Sequence, residues 1–258
     1  MYLATEKEWK ECADILSTQS AIGLDSEFTG VDFSLGQSCV NRAKIHVWSV
    51  AIQTDNLHPR GYHRAIGCVL PVSAIETFRP ILENPSIVKA IHNAPVDVHA
   101  FYNSGVDIVG VVNTLSLCRW ALPGRSRYNL DDICNSCLGS GKADSFNDIC
   151  RIEKFRTEIK SKVVKSKVCM TCGDPAAGGF ICRRRKYPHI RTEVEHITTE
   201  EKVYRDGWEY IDQHIIIPGH PLWERYEEYA MVDAVRAIEI YDFCNRVDKQ
   251  TEVLWYHQ

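Results

Sequence analysis

Apolar and polar positions change their period three times along this chain. Ala21 to Phe28 is a short apolar run with a β-branched residue and two acids near its end, and Lys44 to Gln53 alternates apolar with polar, as a neighbouring strand does. A third strand is expected over His63 to Val72, so the three open the domain as an antiparallel meander. Helical spacing follows from Ser73 to Leu82, with Ser73 as N-cap and Glu76 three residues later completing a capping box. Ile87 to Ile91 predicts a buried strand. Asn93 to Asn103 predicts a helix whose Pro95 sits in the first turn, where a missing N–H costs nothing. Val106 to Val112 predicts another strand, and Thr114 to Leu122 and Asn129 to Leu138 two helices. From about Gly139 glycine, charge and a cysteine cluster replace the periodicity, which returns at Pro221 with a long amphipathic helix, Leu222 to Val247. There is no internal repeat. Strands first, then strands alternating with helices, indicate a mixed α/β sheet.

A chain of 258 residues can bury a substantial core. The pattern divides it into a main domain, 1–138 with 216–258, and an insertion, 139–215. No apolar run is long enough to cross a bilayer, and the first residues lack the charged start, apolar centre and cleavage site of a signal peptide. A cytoplasmic protein without membrane partners is expected. The eleven cysteines are an odd number, and most sit singly in apolar stretches such as Gly67-Cys68-Val69-Leu70, which argues for free or metal-bound sulfur in a reducing compartment.

Charge changes this picture. The net formal charge of −4 argues against a nucleic-acid partner until it is divided along the chain. Residues 151–191 carry twelve Lys/Arg against Glu153, Glu158 and Asp174, a local +9 that leaves −13 for the remainder. A basic segment on an acidic body suits a phosphate-binding arm beside a carboxylate metal site.

The carboxylates that could form such a site are specific. On a strand, residues two apart share a face about 7 Å apart, so Asp25 and Glu27 can aim at one ion. On a helix, residues four apart lie about 6 Å apart along the axis on one face, so Tyr229 and Asp233 are presented together. Carboxylates suit Mg²⁺ or Mn²⁺, and two such ions about 4 Å apart can support in-line phosphoryl displacement.

Asp25-Ser26-Glu27, His92-Asn93-Ala94-Pro95-Val96-Asp97 and Tyr229-x-x-x-Asp233, in that order, resemble the three exonuclease motifs of the DEDD superfamily in its tyrosine-bearing branch. Tyr128-Asn129-Leu130-Asp131-Asp132-Ile133 is similar to the segment after the second motif in proofreading domains of family A DNA polymerases and in ribonuclease D-like enzymes. The likeness covers roughly 20–138 and 221–245. It implies a ribonuclease H-like fold, a mixed five-stranded sheet flanked by helices, and removal of 5′-mononucleotides from a 3′ end. It implies further that Asp25 bridges two Mg²⁺ or Mn²⁺ ions, Glu27 and Asp233 complete the tighter site, Asp97 holds the second ion largely through water, and Tyr229 orients the attacking water. Phe28 stands where threonine is common, Asn113-Thr114 where Asp-Thr is frequent, and 136 residues separate Asp97 from Asp233, which an insertion explains.

Within the insertion, Cys169-x-x-Cys172 is followed by Cys182, His189 and His196. Sulfur with imidazole selects Zn²⁺, so a structural zinc knuckle on Cys169, Cys172, Cys182 and His189 is expected, with His196 and Cys150 as alternatives for the fourth ligand. The competing reading is a loop of free thiols, because a second Cys-x-x-Cys pair is absent; Cys134-x-x-Cys137 reads as helix packing. Arg183-Arg184-Arg185-Lys186 follows Cys182 directly and is a candidate phosphate contact. His92 and His99 are expected to satisfy local hydrogen bonds, Asn93 to help position the backbone, and Trp208, Trp223 and Trp255 to pack in the core rather than stack on bases.

The expected activity is metal-dependent 3′-5′ exonuclease action on DNA, at a single-stranded 3′ end or a primer terminus. Proofreading for a separately encoded polymerase is the setting, an arrangement known from bacteriophages and one that would place the protein in a bacterial host's cytoplasm. The alternatives are a ribonuclease D-like RNA exonuclease and a noncatalytic zinc-containing nucleic-acid-binding module.

Overall fold

A computed structural model describes residues 1–29, 43–141, 155–169, 190–204, 216 and 218–255, with side chains for all of these except 155–169, 190–204 and 248–255. The chain divides into two compact units, Met1–Ile152 with Asp206–Gln258, and Glu153–Arg205.

In the first unit, β1 (Ala21–Thr29), β2 (Lys44–Leu57) and β3 (His63–Pro71) form the expected meander, joined by β4 (Val88–Ile91) and β5 (Val111–Asn113). The order is β3-β2-β1-β4-β5, antiparallel from β3 to β1 and parallel from β1 to β5. β1 is therefore central and packed on both faces. Its even positions Ile22, Leu24 and Phe28 join Trp48, Phe78 and Phe101 in the main core. That side is built with α1 (Glu6–Ser17), α2 (Ile75–Leu82) and α3 (Pro95–Asn103). Trp48 meets Phe78 and Phe101 edge-on, with ring centroids 5.0 and 5.7 Å away. The other face is lined by small residues, Ala21, Ala51 and Ala90, against Ala234 and Ile238 of a long final helix.

That final helix, α6 (Trp223–Trp255), follows α4 (Thr114–Ala121) and the one-turn α5 (Leu130–Ile133). Its carboxylates also close the exposed edge of the sheet. His63 N–H donates to Asp242 Oδ2 at 2.6 Å and Ala65 N–H to Glu239 Oε1 at 3.2 Å, while Leu3 N–H bonds Val69 further along the same strand. An edge strand so capped offers few free N–H groups to another chain. Among the described residues, no helix is long and apolar enough to cross a membrane.

Several expected elements are corrected. α1 escaped the pattern reading, although Thr5 and Glu8 form a full capping box at its start. Ser73 does not cap α2. It lies inside a 3-10 turn, Val72–Ala74, and Glu76 pairs with Arg79 at 2.6 Å instead of reaching back to the backbone. The strand expected over Val106–Val112 shrinks to Val111–Asn113, because Gly105 and Gly110, at φ 87° and 72°, turn the chain on either side. Val106 and Ile108 between them still pack in the core. The helix expected over Asn129–Leu138 becomes α5 followed by a π turn, Cys134–Leu138, ending at Gly139 with φ 77°.

The second unit holds an antiparallel ribbon, β6 (Phe155–Cys169) against β7 (Ile190–Tyr204), in unbroken register from Phe155↔Tyr204 to Cys169↔Ile190. No strands were expected there. Valine, isoleucine and threonine do recur along both segments, but lysine and glutamate interleave them without leaving a continuous apolar face, so the alternation carries little burial signal.

Candidate active site

The alternation of β1 distributes the acidic residues. Odd positions Ala21, Gly23, Asp25 and Glu27 share the face toward α6, and Ser26 faces the side of α3. Between Glu27 and Phe28 the register with β2 shifts from Val47 to Ile45, a bulge at His46, whose Nε2 meets Thr29 Oγ1 at 2.8 Å. Such a bulge bends β2 beside Glu27 and increases the local twist.

Asp233 reaches the same place from α6, and the approach depends on residues without bulk. A Cβ built on Gly23 would come within 2.1 Å of the Ala234 carbonyl oxygen, and one on Gly67 within 3.0 Å of Val235 Cγ2. No larger residue fits at Gly23 unless the helix moves. Buried Ser49 of β2 then anchors the helix by donating its hydroxyl to the Ala230 carbonyl at 2.7 Å. At the helix start Tyr2 meets Trp223 edge-on, with centroids 5.0 Å apart. The result is that Asp25, Glu27 and Asp233 offer carboxylate oxygens that all lie within 4.8 Å of one another.

Asp97 enters from α3, where it is the third residue of the helix that Pro95 begins, at the end that favours a carboxylate. Its Oδ1 accepts from the Ser26 N–H at 3.0 Å and the Ser26 hydroxyl at 2.7 Å. Burial pushes its carboxyl up to about 7, the negative charge of Asp233 adds to this, and the Ser26 hydrogen bonds pull the other way. Tyr229, four residues before Asp233, is held well above the usual phenol range, first by burial and then by Glu27, Asp233 and Asp25 nearby. Its O–H thus stays protonated at neutral pH. Closely packed oxygens of one sign, two of the three carboxylates buried, form the donor set of a hard divalent cation.

Around this centre, His92 lies between Thr114 Oγ1 at 3.0 Å and the Tyr128 carbonyl at 3.1 Å, and His99 Nδ1 meets the Pro95 carbonyl at 2.7 Å. Asn93 takes a left-handed φ of 62°, and its N–H donates to Asn113 Oδ1, which also caps α4 at Leu115. The turn ahead of α3 is thereby tied to the start of α4.

Of the remaining candidates, Trp223 packs in the core, as do Cys134 and Cys137. Cys169 is the last residue of β6, paired with Ile190, and His196 pairs with Val163. Cys150, Cys172, Cys182, His189, Arg183, Arg184, Arg185, Lys186 and Trp208 lie outside the described residues, as does the side chain of Trp255. Ser26, Gly23 and Ser49 were not singled out by sequence reasoning. A lone glycine two residues before a strand aspartate was a usable signal for close backbone approach; nothing marked Ser49.

Comparison with known proteins places this geometry. A profile described as 3′-5′ exonuclease, of the DNA polymerase A type, matches residues 2–162. The Trypanosoma brucei RNase D complex with RNA U12 is similar at 14% identity and a TM-score of 0.53, covering 95% of this chain and 61% of that one. The catalytic core of RRP6 from Trypanosoma brucei gives 12% identity and a TM-score of 0.52 over 99% of this chain and 48% of that one. Brucella melitensis NrnC bound to pGG gives 12% and 0.50 over 91% and 76%. At such identities the likeness is one of fold, the ribonuclease H-like α/β arrangement expected from the motifs. The chain spans about half the length of the RRP6 core. No curated protein matches it.

Proposed function

Since the chain belongs to the 3′-5′ exonuclease family matched over residues 2–162, we propose that it hydrolyses the terminal phosphodiester of a DNA 3′ end and releases a nucleoside 5′-monophosphate. The observation that carries this reading is the meeting of Asp25, Glu27 and Asp233 within 4.8 Å. Tyr229 stands close enough to feel the charge of all three.

In this reaction a water oxygen forms a bond to phosphorus, the bond to the 3′ oxygen of the preceding nucleotide breaks, and the proton passes to that leaving oxygen or to solvent. Asp25, Glu27 and Asp233 would hold one divalent ion of the Mg²⁺ or Mn²⁺ type, and Asp25 with Asp97 a second. When bound, such ions neutralise charge on the scissile phosphate and on the attacking and leaving oxygens. Tyr229, protonated at neutral pH, orients the water by hydrogen bonding. Ser26 holds Asp97 in place through Oδ1, and Ser49 with Gly23 sets the depth at which Asp233 enters. Each is a matter of position, and misplacement by about 1 Å can cost about 10²-fold in rate.

The DNA polymerase A type of the matched profile supports a DNA strand as substrate, and a DNA polymerase would be the partner. An RNA 3′ end is the second reading, because the same fold carries RNA U12 in the Trypanosoma brucei RNase D complex. The basic β6 and the segment Arg183-Arg184-Arg185-Lys186 would grip phosphates, and Cys169, Cys172, Cys182 and His189 would bind a structural zinc ion. Matched 5′-labelled DNA and RNA oligonucleotides, incubated with Mg²⁺ or Mn²⁺, test the proposal. Stepwise shortening from the 3′ end, lost in Asp25→Ala/Glu27→Ala, is the expected result. The preferred sugar decides between the two readings. Nucleic-acid binding with no cleavage under either metal would overturn both in favour of a noncatalytic module.

A further inference from the structure

Two pairs of thiols approach each other in this fold, and they differ in access. Cys118 of α4 and Cys244 of α6 lie with sulfurs 3.7 Å apart, both fully buried. Cys12 of α1 and Cys68 of β3 lie 3.8 Å apart, but here Cys12 is only partly covered. Both line a cavity of about 390 Å³ between α1 and the β2/β3 sheet, whose walls include Leu3, Ile15, Ile52 and Ile66. Ile15 and Ile66 are more than half exposed, so the cavity opens to solvent.

We propose that Cys12 and Cys68 form an oxidisable dithiol site, which a small hydroperoxide converts to a disulfide linking α1 to β3. Cys12 is the partly exposed thiol and Cys68 the buried one, so Cys12 meets the oxidant first and is the first nucleophile; the contact between them favours the Cys12 thiolate, while burial disfavours that of Cys68. The Cys12 thiolate attacks one peroxide oxygen, the O–O bond breaks, and hydroxide leaves to take a proton as water. The Cys12 sulfenic acid so formed is attacked by Cys68 Sγ; the S–S bond forms, the S–O bond breaks, and the hydroxyl leaves as a second water with the Cys68 proton. Two thiols and one hydrogen peroxide thus give one disulfide and two waters. The peroxide is reduced and the sulfurs are oxidised.

The link would close a loop from residue 12 to residue 68 that contains β1 and both of its metal-site acids. It would hold the N-terminal helix to the meander without touching Asp25 or Glu27. The cavity admits a small oxidant and a small thiol reductant alike, so the bond can be made and removed. The sealed Cys118/Cys244 pair offers similar sulfur spacing without that access, and serves as an internal control.

The test treats the folded full-length protein with a stoichiometric amount of hydrogen peroxide, blocks remaining thiols with iodoacetamide under denaturing conditions, and maps peptides by mass spectrometry. The expected product is a peptide joining Cys12 to Cys68, lighter by two hydrogens than its parts and split by dithiothreitol, with Cys118 and Cys244 recovered alkylated. In Cys12→Ser the joined peptide disappears and Cys68 is recovered alkylated. Recovery of both Cys12 and Cys68 as alkylated thiols overturns the proposal, as does Cys12 oxidised alone to sulfinic acid beside an alkylated Cys68.

Discussion

The carboxylate-bearing sheet and the β6/β7 ribbon both contain long antiparallel pairs, but they are specified by different forces. In the sheet, β1 is buried on both faces, and the residues that meet at its end come from positions 25, 27, 97 and 233. Burial decides its register, because a slip of one residue would turn Asp25 and Glu27 away from α6 and Leu24 toward it. In the ribbon every pairing is local to one hairpin. A strand with five basic residues and one acid lies beside one with four acids and two basic residues, but no basic residue stands directly opposite an acid and Glu158 pairs with Glu201, so neither directly opposed charges nor an apolar face enforces the register. The contrast teaches where rigidity is needed. Chemistry requires atoms fixed to within about an ångström, whereas the phosphate contacts proposed for the ribbon would act through a field of charges.

The largest expected effect separates the two regions outright. Asp25→Ala should lower hydrolysis by about 10³-fold or more while leaving metal-free binding of an oligonucleotide intact, measured by single-turnover cleavage and fluorescence anisotropy. A parallel loss of binding would mean that the sheet grips the strand as well. Gly23→Ala comes next. Its Cβ, 2.1 Å from the Ala234 carbonyl, must push α6 outward, so it should cost about 1–3 kcal/mol in chemical denaturation. Hydrolysis should fall by about 10²-fold at temperatures where the variant remains folded. Unchanged stability would show that the helix yields easily and that the sheet is less sharply specified than its packing indicates. Tyr229→Phe keeps the ring and removes only the hydroxyl. It should lower the turnover rate by about 10²-fold with little change in stability.

How far each region could be read from the sequence follows from the same distinction. The meander was legible because Ala21–Phe28 and Lys44–Gln53 carry the apolar and alternating patterns of buried and half-buried strands, and Asp25, Glu27, Tyr229 and Asp233 stood at spacings that put them on common faces. Ser26 was invisible as a partner of Asp97, since that contact crosses 71 residues and exists only once β1 and α3 have packed. The capping box at Thr5 and Glu8 was legible and overlooked. The one expected at Ser73 failed because Glu76 found Arg79 three residues on, a competition between partners that spacing alone does not rank. The ribbon was missed because its alternation is of lysine and glutamate with β-branched residues, so hydrophobic periodicity had little to register. The Cys12/Cys68 pair was hidden for a further reason: singly spaced cysteines in apolar runs look like small core residues until two runs are brought together.

The ribbon provides a test of intermediate size. Replacing Lys160, Lys162, Lys165 and Lys167 with alanine leaves β6 without most of its positive charge. Affinity for a single-stranded oligonucleotide should weaken, and the dependence of log affinity on log salt should become shallower by about 0.7 for each phosphate that is no longer neutralised. The turnover rate at saturating substrate should hold. A fall in turnover with unaltered salt dependence would instead make the ribbon a structural support for the site, and the division of labour between the two regions would fail.

The smallest effect concerns the site's own charge, and it sharpens what burial means in the sheet. With divalent ions chelated, Asp97 in the folded protein keeps its proton up to about pH 7, whereas in the unfolded chain it loses it near the ordinary value of 3.8. Between those limits the folded state binds more protons than the unfolded one, so stability contributed by this group falls as pH rises from about 4 to about 7 and levels off above. Thermal melts in chelator across that range should therefore show a fall of a few degrees that Asp97→Asn removes. Added Mg²⁺ should reverse it at pH 8, because a cation favours the ionised carboxylate that burial and Asp233 disfavour. Ser26 already offsets part of the burial through two hydrogen bonds. In Ser26→Ala that offset is reduced, and the pH-dependent fall should widen; a narrower one would mean that Asp97 is not governed by burial at all.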